Sequence, residues 1–378
     1  MKYSDMLLQL GGFMKKRSII FIFIFFMIGL TYIVGLSSPT LIETYYSLGF
    51  NKWFLQFLSH CTGFIPLSLF EIGIYSLLLC LAYRLLVWLY IAFKRTTPFK
   101  RHLTKGLLHI FYFGLTLIFL FYWEWGFNYN RVPLRDTLSF TRTTFTTEEL
   151  GRLYETLIEK ANTLRPFVNE DENGYMTIPG GYKSVFARAD LGYLELAKLY
   201  PIFYGSYGKP KPILASTYMN YTGITGIYSP FTGEANVNVA ILPQALPYTT
   251  LHEMAHQRGF ASEDECNFIA FLACSVHPDV DFEYSGYLLA LAYTNNALSS
   301  TNPELLKQLN TKLSDKVKAD IHYNNTFWKH YSGPIEKASS KVNDTYLKAN
   351  GISDGERSYG RMVDLLLSYY HDTLDVTP

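Results

Sequence analysis

The sequence has few charged residues and almost no net charge. Only 17% of its 378 residues are Asp, Glu, Lys or Arg, and the formal net charge is +1. Proteins that bind nucleic acid through its phosphates carry a basic surplus, so the composition argues against nucleic acid as a partner. Hydrophobic residues make up 49% of the chain and aromatic residues 17%, which is unusual for a wholly soluble protein.

Cysteine is also scarce. The chain has four cysteines, Cys61, Cys80, Cys266 and Cys274, and no two of them form a CxxC pair. Their spacing therefore gives no indication of a zinc site built from cysteines, and no disulfide framework is inferred. The sequence also contains no internal repeat and no low-complexity tract.

The apolar excess is concentrated in three runs in the first third of the chain. The run at 18–36 contains no charge, and two further runs lie near 65–93 and 106–125. A helix of about 20 mostly apolar residues is long enough to cross a bilayer. We therefore predict an α-helical membrane anchor of three transmembrane helices in residues 1–127, followed by a globular domain in residues 128–378.

Basic residues flank these runs unevenly. Three stand directly before the first run: Lys15, Lys16 and Arg17. Five lie between the second and third runs: Lys94, Arg95, Lys100, Arg101 and Lys105. Between the first and second runs there is only Lys52. Basic loops stay in the cytoplasm, so the N-terminus is predicted to be cytoplasmic. Three crossings of the cell membrane then place the globular domain outside the cytoplasm, with the lipid bilayer as a partner.

From about residue 128 the composition is that of an ordinary soluble domain. Residues 146–165 are amphipathic and begin with Thr and early Glu residues, which predicts a capped helix. A second helix is predicted at 183–200, and short strands at 211–216 and 236–239, where polar and apolar residues alternate. The expected fold is a helix-rich α+β domain with a small sheet.

The pattern that carries chemistry is HExxH at residues 252–256. On a helix, residues i and i+4 share one face, so His252 and His256 can direct imidazole nitrogens at one zinc ion. Zinc lowers the pKa of a bound water, and Glu253 can then act as general base. In the flanking sequence, Thr249 or Thr250 can cap this helix, and Gly259 can end it with a positive φ.

A catalytic zinc site needs a third protein ligand, and the acidic residues after Gly259 supply the candidates. Ser262 and Glu265 have the spacing of a capping box, which gives Glu265 a structural role and favours Glu263 as the ligand. Glu265 remains the alternative, and a third interpretation is that these carboxylates only interact with the helix dipole. Asn267 follows Glu263 at i+4 and could hydrogen-bond the far nitrogen of a ligating histidine.

HExxH followed by an E-x-E-x-N-x-x-A helix resembles the gluzincin branch of zinc peptidases. In that branch the third ligand is a Glu on the next helix, and a carboxylate or amide four residues later supports a ligating histidine. The resemblance implies these roles for Glu263 and Asn267, within a zincin-like metallopeptidase domain. Six residues separate His256 from Glu263, which is short for a gluzincin. The Gly259 turn is similar to that of the metzincins, whose third histidine would fall at Ser262.

A wider resemblance covers most of the chain. The run YSPFTGEANVN, the HExxH segment and the later SYGRMVDLL resemble a bacterial family of multi-span membrane proteins that is grouped with the zinc peptidases. In zinc peptidases of this general shape, the edge strand of a small sheet binds the substrate backbone. Asn236 and Asn238 are predicted to line that edge, and a plain solvent-facing strand is an equal alternative.

The sequence therefore predicts a membrane-anchored zinc peptidase that cleaves a peptide or protein in the cell envelope, with Glu253 as general base. A zinc-binding membrane sensor or scaffold without turnover is the alternative. The intact Glu253 favours the hydrolase, because a structural zinc site needs no general base. Several residues could stabilise the oxyanion, and the sequence does not choose among them: Tyr284, Tyr287, Tyr359, Arg258 and Arg361.

Overall fold

A computed structural model describes residues 19, 21–30, 33–35, 37–94, 99–142, 144–355 and 360–374. The chain divides into two compact units. The first unit comprises Met1–Asn51 and Phe70–Arg131, and the second comprises Lys52–Leu69 and Val132–Pro378. The second unit is thus built from two stretches that are far apart in the sequence.

The longer α-helices are labelled in chain order: α1 (Lys52–Gly63), α2 (Leu69–Lys94), α3 (Phe99–Glu124), α4 (Thr147–Leu164), α5 (Gly181–Leu199), α6 (Leu246–Gln257), α7 (Glu263–Ser275), α8 (Val280–Thr301), α9 (Pro303–Asn310), α10 (Asp315–Tyr331), α11 (Pro334–Ala349) and α12 (Met362–Leu374). Shorter helical segments and one π-helix, Ile42–Asn51, lie between them: Pro39–Leu41, Gly126–Asn130, Leu134–Thr137, Arg165–Phe167, Pro201–Phe203, Ser216–Met219, Asn220–Thr222 and Pro243–Ala245.

Within the described residues, two helices are long and apolar enough to cross a membrane, α2 and the His102–Glu124 part of α3. They correspond to the predicted spans near 65–93 and 106–125, and they associate the chain with a membrane. Phe21–Gly35 and Pro39–Gly63 meet the same criterion only as a bent pair, so the number of spans is two, or three if that pair is one span. Of the predicted first span, residues 18, 20, 31–32 and 36 lie outside the described residues.

The Lys52–Leu69 segment belongs to the second unit through specific contacts. Gly208 approaches Ser59 so closely that a Cβ atom on Gly208 would lie 2.2 Å from the Ser59 carbonyl oxygen. The Gly208 amide donates to Ser59 Oγ at 3.1 Å. The structure thus differs from the predicted division at residues 127 and 128, because the globular unit includes a stretch that precedes α2.

A buried ion pair joins this segment to the sheet. Lys211 Nζ lies 3.9 Å from Glu234 Oε1, and the two side chains are only 4% and 1% exposed. Lys211 also donates to the carbonyl oxygens of Thr62 and Ile65, and Glu234 accepts from the Leu69 amide at 3.2 Å. Burial lowers the pKa of Lys211, while the neighbouring Glu234 raises it.

The predicted helices at 146–165 and 183–200 correspond to α4 and α5. Helix α4 begins with the predicted Thr cap, which forms a capping box with Glu149. Thr146 Oγ1 accepts from the Glu149 amide at 3.2 Å, and the Glu149 carboxylate accepts from the Thr146 amide at 2.7 Å. The buried apolar face of α4 packs along α8, as expected for an amphipathic surface helix.

The described part of the chain contains a three-stranded sheet in the order β1-β3-β2. Its strands are β1 (Lys211–Pro212), β2 (Gly226–Ser229) and β3 (Glu234–Val237). β1 runs parallel to β3, and β2 runs antiparallel to it. The strand predicted at 211–216 is therefore shorter than expected, and the strand predicted at 236–239 begins two residues earlier.

Helices α6, α7 and α8 pack together at the centre of the second unit, and α6 also lies against β2 and β3. Almost every residue of α6 is buried. A helix that is buried on all sides is stabilised by packing against its neighbours rather than by the intrinsic helix propensity of its residues. This arrangement gives the HExxH segment a rigid support in the core.

Candidate metal centre

The HExxH motif occupies the second half of α6. This helix begins at Leu246, so Thr249 and Thr250 lie inside it, and the prediction that one of them caps it is wrong. Thr250 Oγ1 instead donates back to the Leu246 carbonyl at 2.7 Å. The predicted end is confirmed: Gly259 has a φ of 86°, and its amide donates to the His256 carbonyl at 2.9 Å.

Three side chains come together beyond this turn. The potential ligand atoms of His252, His256 and Glu263 all lie within 4.8 Å of one another. His252 Nε2 lies 3.2 Å from Glu263 Oε2, and His256 Nε2 lies 3.6 Å from Glu263 Oε1. Tetrahedral ligands of a metal with bonds near 2.0–2.1 Å are about 3.4 Å apart. The cluster could therefore hold a metal ion.

Glu263 is the first residue of α7, and the sharp turn at Gly259 brings it back over the motif. Burial disfavours an ionised carboxylate here, but the two adjacent histidines outweigh burial and hold the pKa of Glu263 below its usual range. A carboxylate binds a metal in its ionised form. The electrostatic surroundings of Glu263 therefore suit a ligand.

A backbone carbonyl orients one of the histidines. His256 Nδ1 lies 2.8 Å from the Phe260 carbonyl oxygen, so an Nδ1 proton can be donated there and Nε2 is left to face Glu263. The buried Cys266 thiol donates to the same carbonyl at 3.2 Å. The contact between His256 and the Phe260 carbonyl could not be predicted from the sequence, because every residue type provides a main-chain carbonyl.

Asn267 has a different partner from the one predicted. Its amide nitrogen donates to the Tyr293 hydroxyl at 2.9 Å. Within the described residues His252 Nδ1 has no hydrogen-bond partner, and the Nδ1 atom of His256 faces Phe260. Asn267 therefore does not hydrogen-bond the Nδ1 atom of His252. The Nδ1 atom of His256 faces the Phe260 carbonyl instead of Asn267, so the prediction that Asn267 orients a ligating histidine is wrong.

Glu253 is buried beside the cluster and is held by strand β2. It is 4% exposed and accepts a hydrogen bond from the Tyr228 amide. Its side chain passes over Gly226 so closely that a Cβ atom there would lie 2.3 Å from Glu253 Oε1. Burial raises the pKa of Glu253 to about 7, and His252 and His256 oppose that shift.

Glu265 lies outside the cluster. Its Oε1 accepts from the Leu134 amide at 2.6 Å, at the start of the short helix Leu134–Thr137. Ser262 precedes α7 but makes no side-chain cap hydrogen bond, so the predicted capping box between Ser262 and Glu265 is wrong. Of the two candidate third ligands, the geometry brings Glu263 and not Glu265 to the histidines.

Asn236 and Asn238 do not line an edge of the sheet. β3 is the central strand, and both side chains are fully buried at 0% exposure. Asn238 Nδ2 donates to Asn220 Oδ1 at 2.7 Å, which makes it part of the internal packing. The prediction that these asparagines bind substrate at an edge strand is wrong, because β1 and β2 cover both sides of β3.

The residues considered for oxyanion stabilisation have structural partners instead. The buried Tyr284 hydroxyl donates to Asp320 at 2.8 Å. The Arg258 guanidinium lies 3.6 Å from the centre of the Tyr193 ring and 4.7 Å from that of Tyr207. Arg361 forms an ion pair with Asp264, and Tyr287 packs in the core. Tyr359 lies outside the described residues.

Comparison with known proteins gives one match. A family model described as "Protein of unknown function (DUF3810)" matches residues 46–367. That range includes both apolar helices and all residues of the metal cluster. No curated protein and no solved structure matches the chain.

Proposed function

Since the chain belongs to the DUF3810 family, whose description names no activity, we propose a function on the strength of its metal centre. The proposed function is that of a membrane-anchored zinc-dependent peptidase. The observation that carries this proposal is a buried Glu253 placed beside a His252–His256–Glu263 cluster of ligand geometry. This arrangement has the three ligands and the general base that zinc-dependent hydrolysis requires.

The chemistry divides among few residues. A bound Zn2+ would polarise a water molecule and the carbonyl group of a peptide bond. His252, His256 and Glu263 would hold the ion. Glu253 would accept a proton from the water and deliver it to the leaving amine. Gly226 and the Tyr228 amide would keep the Glu253 carboxylate in place during both transfers.

The burial of Glu253 favours turnover over the competing function of a zinc-binding sensor or scaffold. A carboxylate that is taken out of water costs free energy unless it is compensated, and a purely structural site built from two histidines and Glu263 has no use for a second acidic group beside it. A pKa of about 7 also suits a group that takes up and releases protons near neutral pH.

Strand β2 offers an edge for the substrate. It is the outer antiparallel strand of the sheet, it packs against α6, and its residues Gly226 and Tyr228 contact Glu253. A peptide substrate in extended form would add to this edge by main-chain hydrogen bonds. This assignment replaces the one made from the sequence for Asn236 and Asn238.

The division into units supports an extracytoplasmic location. Lys52–Leu69 and Val132–Pro378 form one compact unit, so both stretches have to lie on the same side of a membrane. The chain between them therefore crosses an even number of times, which α2 and α3 achieve. The basic loop between these two helices belongs in the cytoplasm, which supports a location of the second unit outside, where envelope peptides and proteins are the available substrates.

The location can be tested with an engineered cysteine. Glu172 is exposed in the second unit, so Glu172→Cys in a chain with Cys61→Ser and Cys80→Ser should react with a membrane-impermeant maleimide on intact cells. Reaction only after the cells are opened would place the unit in the cytoplasm and exclude envelope substrates.

The function is tested with the full-length chain purified in detergent. Zinc content is measured by mass spectrometry in the wild type, Glu253→Gln, Glu263→Ala and the matched control Glu265→Ala, and cleavage is followed on a mixed peptide library. We expect about one zinc per chain in the wild type, in Glu253→Gln and in Glu265→Ala, a strong loss in Glu263→Ala, and no cleavage by Glu253→Gln. A folded wild type without zinc refutes the metal centre, and zinc without cleavage of any peptide favours the scaffold.

A further inference from the structure

Helix α1 has two faces of different character. One face is buried: Leu55, Ser59 and Thr62 are 0%, 1% and 8% exposed, and Ser59 and Thr62 contact Gly208 and Thr232 of the second unit. The spacing of the three buried residues, four and three residues, places them on one side of the helix. The position of α1 within the second unit is therefore fixed from that side.

The opposite face is apolar and exposed in the second unit. Trp53 and Phe57 are 61% and 55% exposed, and their rings stack with centres 5.7 Å apart. After the helix, Phe64 is 88% exposed, and Ile65 and Leu67 are 40% and 42% exposed. We call these five residues the aromatic face. Large apolar side chains grouped in this way on a surface mark an interaction site.

The sequence around this face contains no formal charge. No Asp, Glu, Lys or Arg occurs between Lys52 and Glu71. A surface that contacts water or a charged partner usually includes such residues. The aromatic face is therefore suited to an apolar medium.

The continuity of the chain indicates which medium that is. Helix α1 ends at Gly63, and the spanning helix α2 begins at Leu69. The few residues between them can extend over about 20 Å at most, so the aromatic face cannot lie far from the membrane surface. Tryptophan and other aromatic residues concentrate at that surface, and amphipathic helices lie in its plane with their apolar side towards the acyl chains.

We propose that the aromatic face inserts into the headgroup region of the lipid bilayer, so that α1 lies along the membrane surface ahead of α2. The inference is independent of peptidase activity. It goes beyond anchoring, because it determines which face of the metal-binding unit is turned towards the lipid.

Contacts on the buried side of α1 connect the aromatic face to α6, the helix that carries the HExxH motif. Gly208 and Gly233 pack against Ser59, and their carbonyl oxygens both accept from Gln257 Nε2, at 3.1 and 2.9 Å. Gln257 is the last residue of α6. Contact of α1 with lipid therefore fixes the orientation of the HExxH helix relative to the bilayer.

The test uses the full-length chain with Cys61→Ser and Cys80→Ser, reconstituted into phosphatidylcholine vesicles. A fluorophore is attached at Phe57→Cys, and the matched control is Phe167→Cys, which replaces the same residue type at an exposed site of the same unit, 72% exposed. Quenching is compared between a lipid that carries a nitroxide near its headgroup and a water-soluble quencher. We expect quenching by the nitroxide lipid to be severalfold stronger at position 57 than at position 167. Quenching by the water-soluble quencher should be stronger at position 167 than at position 57.

Two results would overturn the proposal. Equal, water-like quenching at both positions would show that the aromatic face is in solvent. Shielding of position 57 from both quenchers would show that protein covers it, either a second copy or another part of the chain. If Phe57→Cys fails to fold, Trp53→Cys on the same face provides the same comparison.

Discussion

Replacing Gly226 with alanine should disable the proposed peptidase without removing its metal. The atoms nearest to the added methyl group all belong to Glu253: the methyl carbon would lie 2.3 Å from Oε1 and 2.6 Å from both Cδ and Cγ. Ordinary van der Waals contact begins at 3.4 Å. The Glu253 carboxylate would therefore have to retreat by about 1 Å from its place on β2.

A displacement of this size is large for a general base. A misplacement of about 1 Å in a catalytic group can lower a rate on the order of 100-fold, so kcat of Gly226→Ala should fall by about that factor. KM should change little, since the added methyl group displaces the base rather than a ligand. Zinc content should stay at the wild-type level, because His252, His256 and Glu263 are not among the atoms that the methyl group meets first.

The assay measures kcat, KM and zinc content for the wild type and two variants. Gly333→Ala is the matched control, since a Cβ atom there meets nothing within 4 Å and its φ of 172° is extended. The control should behave as the wild type. A kcat of Gly226→Ala within about twofold of the wild type, or a loss of zinc in parallel with activity, would contradict the role given to Glu253.

Three further predictions concern stability. Asp320→Ala should lower the free energy of unfolding by about 3–5 kcal/mol, because it removes the buried acceptor of Arg165 at 2.5 Å and of the Tyr284 hydroxyl, while only the partly exposed carboxylate of Glu170 stays beside Arg165; thermal unfolding in detergent measures this. Lys211→Met should cost a similar amount, since it removes the buried cation that lies 3.9 Å from the buried Glu234 carboxylate, and an unchanged midpoint would refute it. Glu149→Gln should cost about 0.3–1 kcal/mol at pH 7, because it removes a negative charge from the first turn of α4. Because a hydrogen bond from the N-cap amide lowers the pKa of Glu149 below 4.5, this contribution is complete above pH 4.5 and disappears as the pH falls through the lowered pKa. A cost that persists in acid would argue against the cap.

The local features of the site could be predicted because they depend on short-range geometry. The i and i+4 spacing places His252 and His256 on one face of α6, and the turn needs the positive φ that Gly259 supplies. The capping box at Thr146 is likewise a matter of four consecutive residues. In each case the residues that interact are neighbours in the sequence.

The features that could not be predicted depend on pairings over long distances in the chain. The order of the strands places Asn236 in the centre of the sheet, and this follows from pairing with β1, far upstream. Glu265 has the spacing of a capping box but binds the Leu134 amide, 131 residues away. The Lys52–Leu69 segment has the composition of a membrane loop, and its contacts in the folded chain, such as those with Gly208, Lys211 and Glu234, reveal that it completes the globular unit.

This discontinuous second unit has a consequence for biosynthesis. Thr62 and its partner Lys211 are 149 residues apart, and the two candidate spanning helices, α2 and α3, are synthesised between them. At about 5–20 residues per second, α1 waits roughly 7–30 s before β1 exists, and longer before β3 is complete. During that interval α1 has no sheet to pack against, while α2 and α3 insert into the bilayer in the proposed topology. In that topology, assembly of the second unit is ordered after membrane insertion, so a chain that fails to insert should also fail to complete the packing around α6.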